Sequence, residues 1–322
     1  MSEDNRDEKG VGEGAEEDES KTISDSSDEE SEPGDEDTED GGVVTDALKG
    51  LFDTFKKVTN PNGKQQAKNK HSVKEDPFYN MRHEKRGKAI IFNHFNFDAK
   101  LYLDPRNGTE RDVKRLTRAF KKHSFEVQVF DNSTVQDIQY AMRTVIAEDD
   151  HSNSDCVAVI ILTHGKYVEE KGSMLYARDG TYHLDTLIEM ITPEKCTSLA
   201  GKPKLFFVQA CRGEKKDKGK IIAVDSFPVK SYKKIPTYAD FFIAQSTIPG
   251  YVSIRNKVKG SWFMKALSMK LMEEDSNTKS IFSIMTEVIA HVAFKCESNA
   301  ENLKQIPTFT SRLTKDLIFV KK

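Results

Sequence analysis

The chain has few or none of the features that mark several large classes of protein. Its four cysteines (Cys156, Cys196, Cys211 and Cys296) include no CxxC pair. This spacing argues against a disulfide scaffold and a structural zinc site, and favours a reducing cytoplasm. No apolar run approaches the roughly 20 residues that a membrane-spanning helix needs. The first ten residues, MSEDNRDEKG, lack the apolar core of a secretory signal.

The N-terminal segment has almost no basic residues and no aromatic ones. Residues 1–42 hold 19 acidic and three basic residues, whereas the whole chain of 322 residues has a net charge of only −3, so residues 43–322 carry about +13. A segment of this composition cannot bury enough apolar surface to offset its ordering entropy. We therefore predict a disordered acidic arm, a polar linker over 43–77 and a folded part from about Phe78.

From Phe78 onward, apolar blocks alternate between strand and helix patterns. Nearly uniform apolar composition in the strands favours a mostly parallel sheet covered by helices on both faces. The predicted strands are Lys88–Asn93, Ser124–Phe130, Cys156–Thr163, Leu205–Ala210, Asp240–Ser246 and a last apolar block, Leu317–Val320. The predicted helices are Glu110–Lys122, Thr134–Asp149, Leu184–Ile191, Trp262–Glu274 and Ile281–Phe294.

Two of these strands end in residues that carry chemistry, His164 and Cys211. Sites in parallel sheets form where loops leave the carboxyl ends of strands. A thiol is a strong nucleophile as thiolate, and a nearby imidazole favours that form. A lone cysteine or histidine at a strand end is usually structural. Here, however, Cys211 lies in Gln-Ala-Cys-Arg-Gly, and His164 precedes Gly165 47 residues upstream.

This pentapeptide with its upstream histidine is the signature of the caspases, and further segments resemble that family over about residues 78–322. They are Arg106-Asn107-Gly108-Thr109, Gly250–Asn256, Gly260-Ser261-Trp262-Phe263, Lys304–Pro307 and Leu313–Leu317. The chain is accordingly identified as an executioner-type, insect-like member of the caspase family. The resemblance implies an α/β fold with a mostly parallel six-stranded sheet, and a cysteine endopeptidase without a cofactor or metal.

The resemblance also implies roles for individual residues. Cys211 is the expected nucleophile and His164 its acid/base partner, oriented by a main-chain carbonyl near Asp104. The N–H groups of Cys211 and Gly165 are expected to form the oxyanion hole. Arg106, Gln209 and Arg255 suit a pocket for an Asp carboxylate at P1. The remaining expected substrate contacts are Ser253, Asn256, Val252, Ile254 and Trp262.

Val252 and Ile254 replace the aromatic residues that executioner caspases usually carry at the positions lining S2. Branched aliphatic side chains leave more room than two rings do. We therefore expect tolerance of bulky P2 residues. Only 16 residues separate Val288 from Lys304, where executioner relatives carry a longer insertion that helps to close S4, so we also expect a looser demand for Asp at P4. Both expectations are closer to initiator specificity. Trp262 is expected to wall the S4 region.

The resemblance further implies a zymogen that is cut after Asp. Asp225, followed by the small residue Ser226, is the best junction between a large subunit (78–225) and a small one (226–322), and Asp46 is the candidate for removal of the prodomain (1–77). Residues 1–77 cannot supply the folded recruitment domain of an initiator, which favours the executioner type. Residues 46–58 form an amphipathic stretch. It suits a docking or membrane-surface helix, but a transient segment of the linker is favoured, because a helix this short is marginal alone.

The expected partners are protein substrates with exposed Asp-containing loops, a second large/small pair in a heterotetramer, an upstream caspase and inhibitor proteins. A cytoplasmic role in apoptosis follows from the family. Two alternatives stay open at this stage. A silent homologue that binds active caspases is disfavoured by the intact Cys211 and His164. A nucleic-acid-binding module is suggested only by the basic balance of residues 43–322, and no recognisable motif supports it.

Overall fold

Apolar blocks that begin and end at glycine or polar residues form the strands of one central sheet. The computed structural model describes residues 76–168, 172–213, 215–216, 237–298 and 302–322. The acidic arm, the amphipathic stretch 46–58 and the boundary at Asp225 lie outside the described residues. So do the candidate cleavage sites Asp46 and Asp225 themselves.

The sheet has six strands in the described residues. They are β1 (Lys88–Asn93), β2 (Glu126–Asp131), β3 (Val157–Leu162), β7 (Lys204–Gln209), β8 (Phe241–Gln245) and β11 (Thr308–Ser311). Their order across the sheet is β11-β8-β7-β3-β1-β2, and only the β11–β8 pair is antiparallel. The predicted mostly parallel six-stranded sheet is thereby confirmed.

Five α-helices of the described residues cover the two faces. They are α1 (Thr109–Lys122), α2 (Val135–Ala141), α3 (Leu184–Glu189), α4 (Trp262–Met272) and α5 (Ile281–Lys295). Strand residues alternate between two cores: in β1, Ile91 packs on the face that α1, α4 and α5 cover, and Ile90 on the face of α2 and α3. Because both faces are covered, the strands contain unbroken apolar runs rather than an alternating pattern.

The second predicted helix lies where it was predicted, but only its first part is α-helical. Thr134 caps α2 as predicted, in a capping box with Asp137. From Met142 the helix continues as a π-helix to Ala147, so the predicted range 134–149 is one α-helical segment followed by wider turns.

The predicted last strand is wrong. Leu317–Val320 forms no strand of the sheet, although Leu317 and Phe319 are buried. The sixth position belongs to β11, where Phe309 lies opposite Ala244 of β8. Two small sheets were not predicted. A three-stranded antiparallel sheet follows His164 and consists of β4 (Gly165–Val168), β5 (Gly172–Tyr176) and β6 (Thr181–Tyr182). A short antiparallel pair consists of β9 (Arg255–Asn256) and β10 (Gly260–Ser261).

Candidate active site

Strand topology places the two predicted reactive residues side by side. β3 and β7 are parallel neighbours, and Leu162 lies opposite Gln209 at their last pair. His164 and Cys211 each follow two residues beyond that pair, so both leave the same carboxyl edge of the sheet. The Thr163 N–H donates to the Gln209 carbonyl at 3.0 Å, which holds the two strand exits together.

The His164 imidazole is oriented by a main-chain carbonyl. Its Nε2 lies 3.0 Å from the Asp104 carbonyl oxygen, in the region where sequence analysis expected such a carbonyl. Because a carbonyl only accepts, Nε2 carries the proton and Nδ1 keeps its lone pair. Phe97 packs against the ring, with 5.1 Å between the ring centroids. Burial lowers the pKa of His164, and the charges of Arg106 and Arg255 lower it further, so the neutral imidazole prevails at pH 7.

The Cys211 thiol lies beneath the loop that precedes β9. The Ser253 N–H donates to Sγ at 3.3 Å, and the Ser253 carbonyl lies 3.7 Å from the same sulfur. Within the described residues, no hydrogen bond joins Sγ to His164. Gly165 lies so close to the Cys211 carbonyl oxygen that an added Cβ would come within 2.1 Å of it. Only glycine fits at that position, because any larger residue would push the two strand exits apart.

Two arginines approach the site from different elements. Arg106 is 2% exposed, and its Nη1 donates to the His94 carbonyl at 3.0 Å and to Thr109 Oγ1 at 2.9 Å. Arg255, in β9, donates to the Asn107 carbonyl. Burial lowers the pKa of Arg106 to about 9, and repulsion from Arg255 contributes, whereas the charge of Asp112 opposes the shift. Both guanidinium groups are cationic at pH 7, and they lie close enough for their charges to interact.

Gln209 joins this group through Ser253. Its Nε2 lies 2.6 Å from Ser253 Oγ, while its buried Oε1 has no hydrogen-bond partner in the described residues. A serine hydroxyl can donate as well as accept. A half-turn of the amide therefore presents the NH2 group, instead of the oxygen, to the unpartnered position. A carboxylate placed there would satisfy this group, since an unpaired buried polar atom is costly.

The other predicted contact residues lie in the loop before β9, in β9 itself and at the start of α4. Val252 and Ile254 are partly exposed, and Trp262 begins α4, half-buried against the core. Asn256 is differently engaged: its Oδ1 accepts from the Val258 and Lys259 N–H groups, both at 2.8 Å. The Asn256 side chain thus shapes the turn of the β9–β10 hairpin.

Several residues that support the site were missed from the sequence. Thr109 Oγ1 donates to Asn93 Oδ1 at 2.7 Å while accepting from Arg106. Gln305 is 3% exposed; its Oε1 accepts from the Ile254 N–H at 2.6 Å and its Nε2 donates to the Ser246 carbonyl at 2.7 Å. Their only sequence signal was membership of the quoted motifs, which does not say which atoms they bind.

An open cleft of about 820 Å³ begins beside Gly165 and runs past Tyr167 and Lys215 to Gly250. In the described part of the chain, no group of three or more His, Cys, Asp or Glu residues is placed to hold a metal ion. No helix of those residues is long and apolar enough to span a membrane.

The fold and the Cys–His pair define an α/β protein with a thiol site at the carboxyl edge of its sheet. The sequence profile of the family described as "Caspase domain" matches residues 86–318. The chain is 44% identical over 255 residues to Caspase-1 of Spodoptera frugiperda, covering 76% of this chain and 82% of that protein. It is 42% identical over 257 residues to Caspase drICE of Drosophila melanogaster, covering 76% and 73%.

A solved structure supports the same family assignment. The crystal structure of Caspase-1 from Spodoptera frugiperda superposes with a TM-score of 0.69 at 42% identity, covering 81% of this chain and 98% of that one. The chain therefore belongs to the caspase family, and the resemblance inferred from its motifs is confirmed.

Proposed function

We propose that the chain is a cysteine endopeptidase that cleaves after Asp and acts in apoptosis. The observation that carries the proposal is the convergence of Cys211 and His164 at adjacent strand exits, with Arg106 and Arg255 beside them. The names of the relatives, Caspase-1, drICE and Caspase-7, support the same activity class.

In the proposed reaction, Cys211 Sγ attacks the scissile carbonyl carbon and His164 Nδ1 takes up the thiol proton. The N–H groups of Cys211 and Gly165 stabilise the oxyanion. When the C–N bond breaks, the imidazolium gives its proton to the leaving amine. A water molecule then hydrolyses the thioester with His164 as base, which regenerates the thiol.

Recognition of P1 Asp follows from the charges in the pocket. Two guanidinium groups and the Gln209 amide offer a carboxylate several charge-assisted hydrogen bonds, whereas a basic P1 side chain is repelled. A carboxylate between Arg106 and Arg255 also relieves their mutual repulsion. Ser253, Val252, Ile254, Asn256 and Trp262 are the proposed remainder of the substrate surface, with S2 left open by the two aliphatic side chains.

The proposal extends to maturation and assembly. We infer a zymogen that is cut after Asp225, with Asp46 as the prodomain site and residues 78–225 and 226–322 as large and small subunits. The large/small pair then forms a heterotetramer with a second pair in the cytoplasm. An upstream caspase and inhibitor proteins remain the expected regulators.

The test compares fluorogenic peptides ending in Asp or in Lys, with the wild type beside Cys211→Ala and with Cys196→Ala as the matched control. We expect turnover of the Asp peptide only, its loss in Cys211→Ala by more than about a thousandfold, and little change in Cys196→Ala. Turnover that survives in Cys211→Ala, or equal cleavage after Lys, contradicts the proposal. A wild type that cleaves nothing but binds an active caspase is a silent homologue.

A further inference from the structure

Helix α1 carries a buried carboxylate that the proposed reaction does not use. Asp112 is fully buried on the face of α1 that packs against the core, in line with Leu116. Both of its oxygens accept from the Ser261 N–H, at 3.0 and 3.1 Å. Burial raises the pKa of Asp112 to about 6, while the Ser261 contacts and the charges of Arg106 and Arg115 oppose the shift. Burying a carboxylate costs free energy, so a carboxylate kept at this position is expected to have a specific role.

The residue that donates to this carboxylate, Ser261, leads directly to the site. Ser261 in β10 lies opposite Arg255 in β9, in a hairpin of only two residue pairs. Arg106 lies three residues before α1 begins. Asp112 thus connects the helix that follows one arginine to the strand that pairs with the other.

The contact between α1 and the hairpin is close and has a second bond. An added Cβ at Gly260 would come within 2.4 Å of Asp112 Oδ1. One turn along α1, Arg115 Nη1 donates to the Lys259 carbonyl at 2.6 Å. Residues 259–261 are therefore held against α1 by two side chains, and glycine is needed where the backbone approaches the carboxylate.

Charge acts in the same direction as these bonds. Burial lowers the pKa of both arginines, and repulsion from Arg255 lowers that of Arg106 further. The charge of Asp112 opposes the shift in both groups. Without the negative charge, the hairpin and α1 would separate to relieve the repulsion. We propose that Asp112 is a positioning residue that sets the spacing of Arg106 and Arg255, and through it the preference for Asp over Glu at P1. This inference rests on the proposed function.

The spacing matters because the two P1 acids differ only in reach. A Glu carboxylate lies one C–C bond, about 1.5 Å, farther from the main chain than that of Asp. Guanidinium forks bind carboxylates with defined geometry, and a misplacement of about 1 Å costs up to a hundredfold in rate. A hairpin that moves outward therefore penalises Asp and favours the longer Glu.

The experiment measures kcat/KM for two fluorogenic peptides that are identical except for P1 Asp or P1 Glu. In Asp112→Asn, one acceptor oxygen remains but the charge is lost. Both peptides carry the same P1 charge, so the change in attraction to the arginines cancels in the Asp/Glu ratio. We expect that ratio to fall about tenfold. Asp137→Asn is the matched control, since Asp137 is also a first-turn carboxylate, but in the α2 capping box, and it should leave the ratio unchanged.

A pH series on the wild type tests the same role without a substitution. Between about pH 7.5 and pH 5.5, Asp112 takes up a proton, since its folded pKa is about 6, and the ratio should fall. The other charged groups that face Asp112 are Arg106, Arg115 and Arg255, and arginine side chains are not deprotonated in proteins. P1 Asp and Glu stay ionised over this range. Any change in the protonation of His164 cancels in the ratio, because His164 serves both peptides.

The outcomes separate the two proposals. If Asp112→Asn does not fold, the pH series on the wild type decides alone. The inference is overturned when both peptides lose activity in equal proportion, or when the ratio holds in Asp112→Asn and across the pH range. A wild type that cleaves neither peptide, or that cleaves after Lys equally well, overturns the proposed function and this inference with it.

Discussion

At the scale of single residues, the hydroxyl of Thr109 connects Arg106 to the sheet. It accepts from Arg106 Nη1 and donates to Asn93 Oδ1, and all three residues are buried. Thr109→Val keeps the shape but leaves Arg106 and Asn93 each short of a partner. We expect a loss of about 1–3 kcal/mol in the free energy of unfolding, and a rise in KM for the Asp peptide that exceeds the fall in kcat.

The matched control is Thr144→Val, which removes an exposed hydroxyl whose bond is to the Tyr140 carbonyl four residues back. Its stability should change by less than about 0.5 kcal/mol and its KM should not move. Urea unfolding and initial rates measure both effects. Equal losses in the free energy of unfolding would contradict a stabilising role for the hydrogen bond between Arg106 and Thr109.

The residues that we propose to act directly could be picked out in the sequence, whereas Asp112, the proposed positioning residue, could not. Cys211, His164 and Arg106 lie in short motifs whose chemistry is specific. Asp112 looked like an ordinary acidic residue of a helix's first turn, favoured there by the helix dipole. Its distinguishing signal was weak: it lies on the apolar stripe, four residues before Leu116. Its partner Ser261 is 149 residues away, and no local pattern encodes such a pairing.

At the scale of secondary structure elements, burial was easier to predict than pairing. The core strands β1, β3, β7 and β8 were located to within one residue at each end, because covered parallel strands are apolar throughout. Leu317–Val320 has the same composition but packs as an irregular segment, with Phe319 against Phe125. In β11, Thr-Phe-Thr-Ser, three of the four residues are polar, as suits a strand at the edge of the sheet. Apolar content therefore marks a buried segment, but not its place in the sheet.

Three distant segments meet where β8 begins. Asp240 Oδ1 accepts from Tyr79 OH at 2.6 Å and from Thr314 Oγ1 at 2.7 Å, and Tyr79 OH accepts from the Thr314 N–H at 2.9 Å. Burial raises the pKa of Tyr79, and the bond to Asp240 raises it further, so the phenol stays protonated and donates. Hydrogen bonds thereby connect the start of β8 to the segment around Tyr79 and to the segment around Thr314.

Removing this hydroxyl tests the contribution of the cluster to stability. Tyr79→Phe leaves the Thr314 N–H and one Asp240 oxygen less satisfied, and we expect a loss of about 1–3 kcal/mol in the free energy of unfolding. Tyr140→Phe is the control, because the Tyr140 side chain is 66% exposed. Chemical denaturation of both variants gives the comparison. A loss in Tyr79→Phe no larger than in Tyr140→Phe would contradict the assigned role.

At the scale of the whole molecule, the sheet holds together chain segments that the proposed activation would separate. β7 and β8 pair in parallel over five residues, Lys204–Val208 against Phe241–Gln245, and the connection between them contains Asp225. Cys211 follows β7, whereas Arg255 follows β8. A cut in the connection therefore leaves both halves of the site on one sheet, held by backbone hydrogen bonds and by two shared cores.

We accordingly expect Asp225→Ala to prevent the two-chain form, and the wild type to give a small subunit that begins at Ser226. Asp217→Ala is the control, because Asp217 lies in the same connection but is followed by Lys218, a poor residue after a cut. Denaturing mass spectrometry identifies the pieces, and native mass spectrometry shows whether they stay together. If Asp225→Ala gives fragments of the same mass as the wild type, the cleavage site between the subunits is not at Asp225. Pieces that separate under native conditions would mean that the shared sheet is too weak to hold them, since each piece lacks half of the two cores.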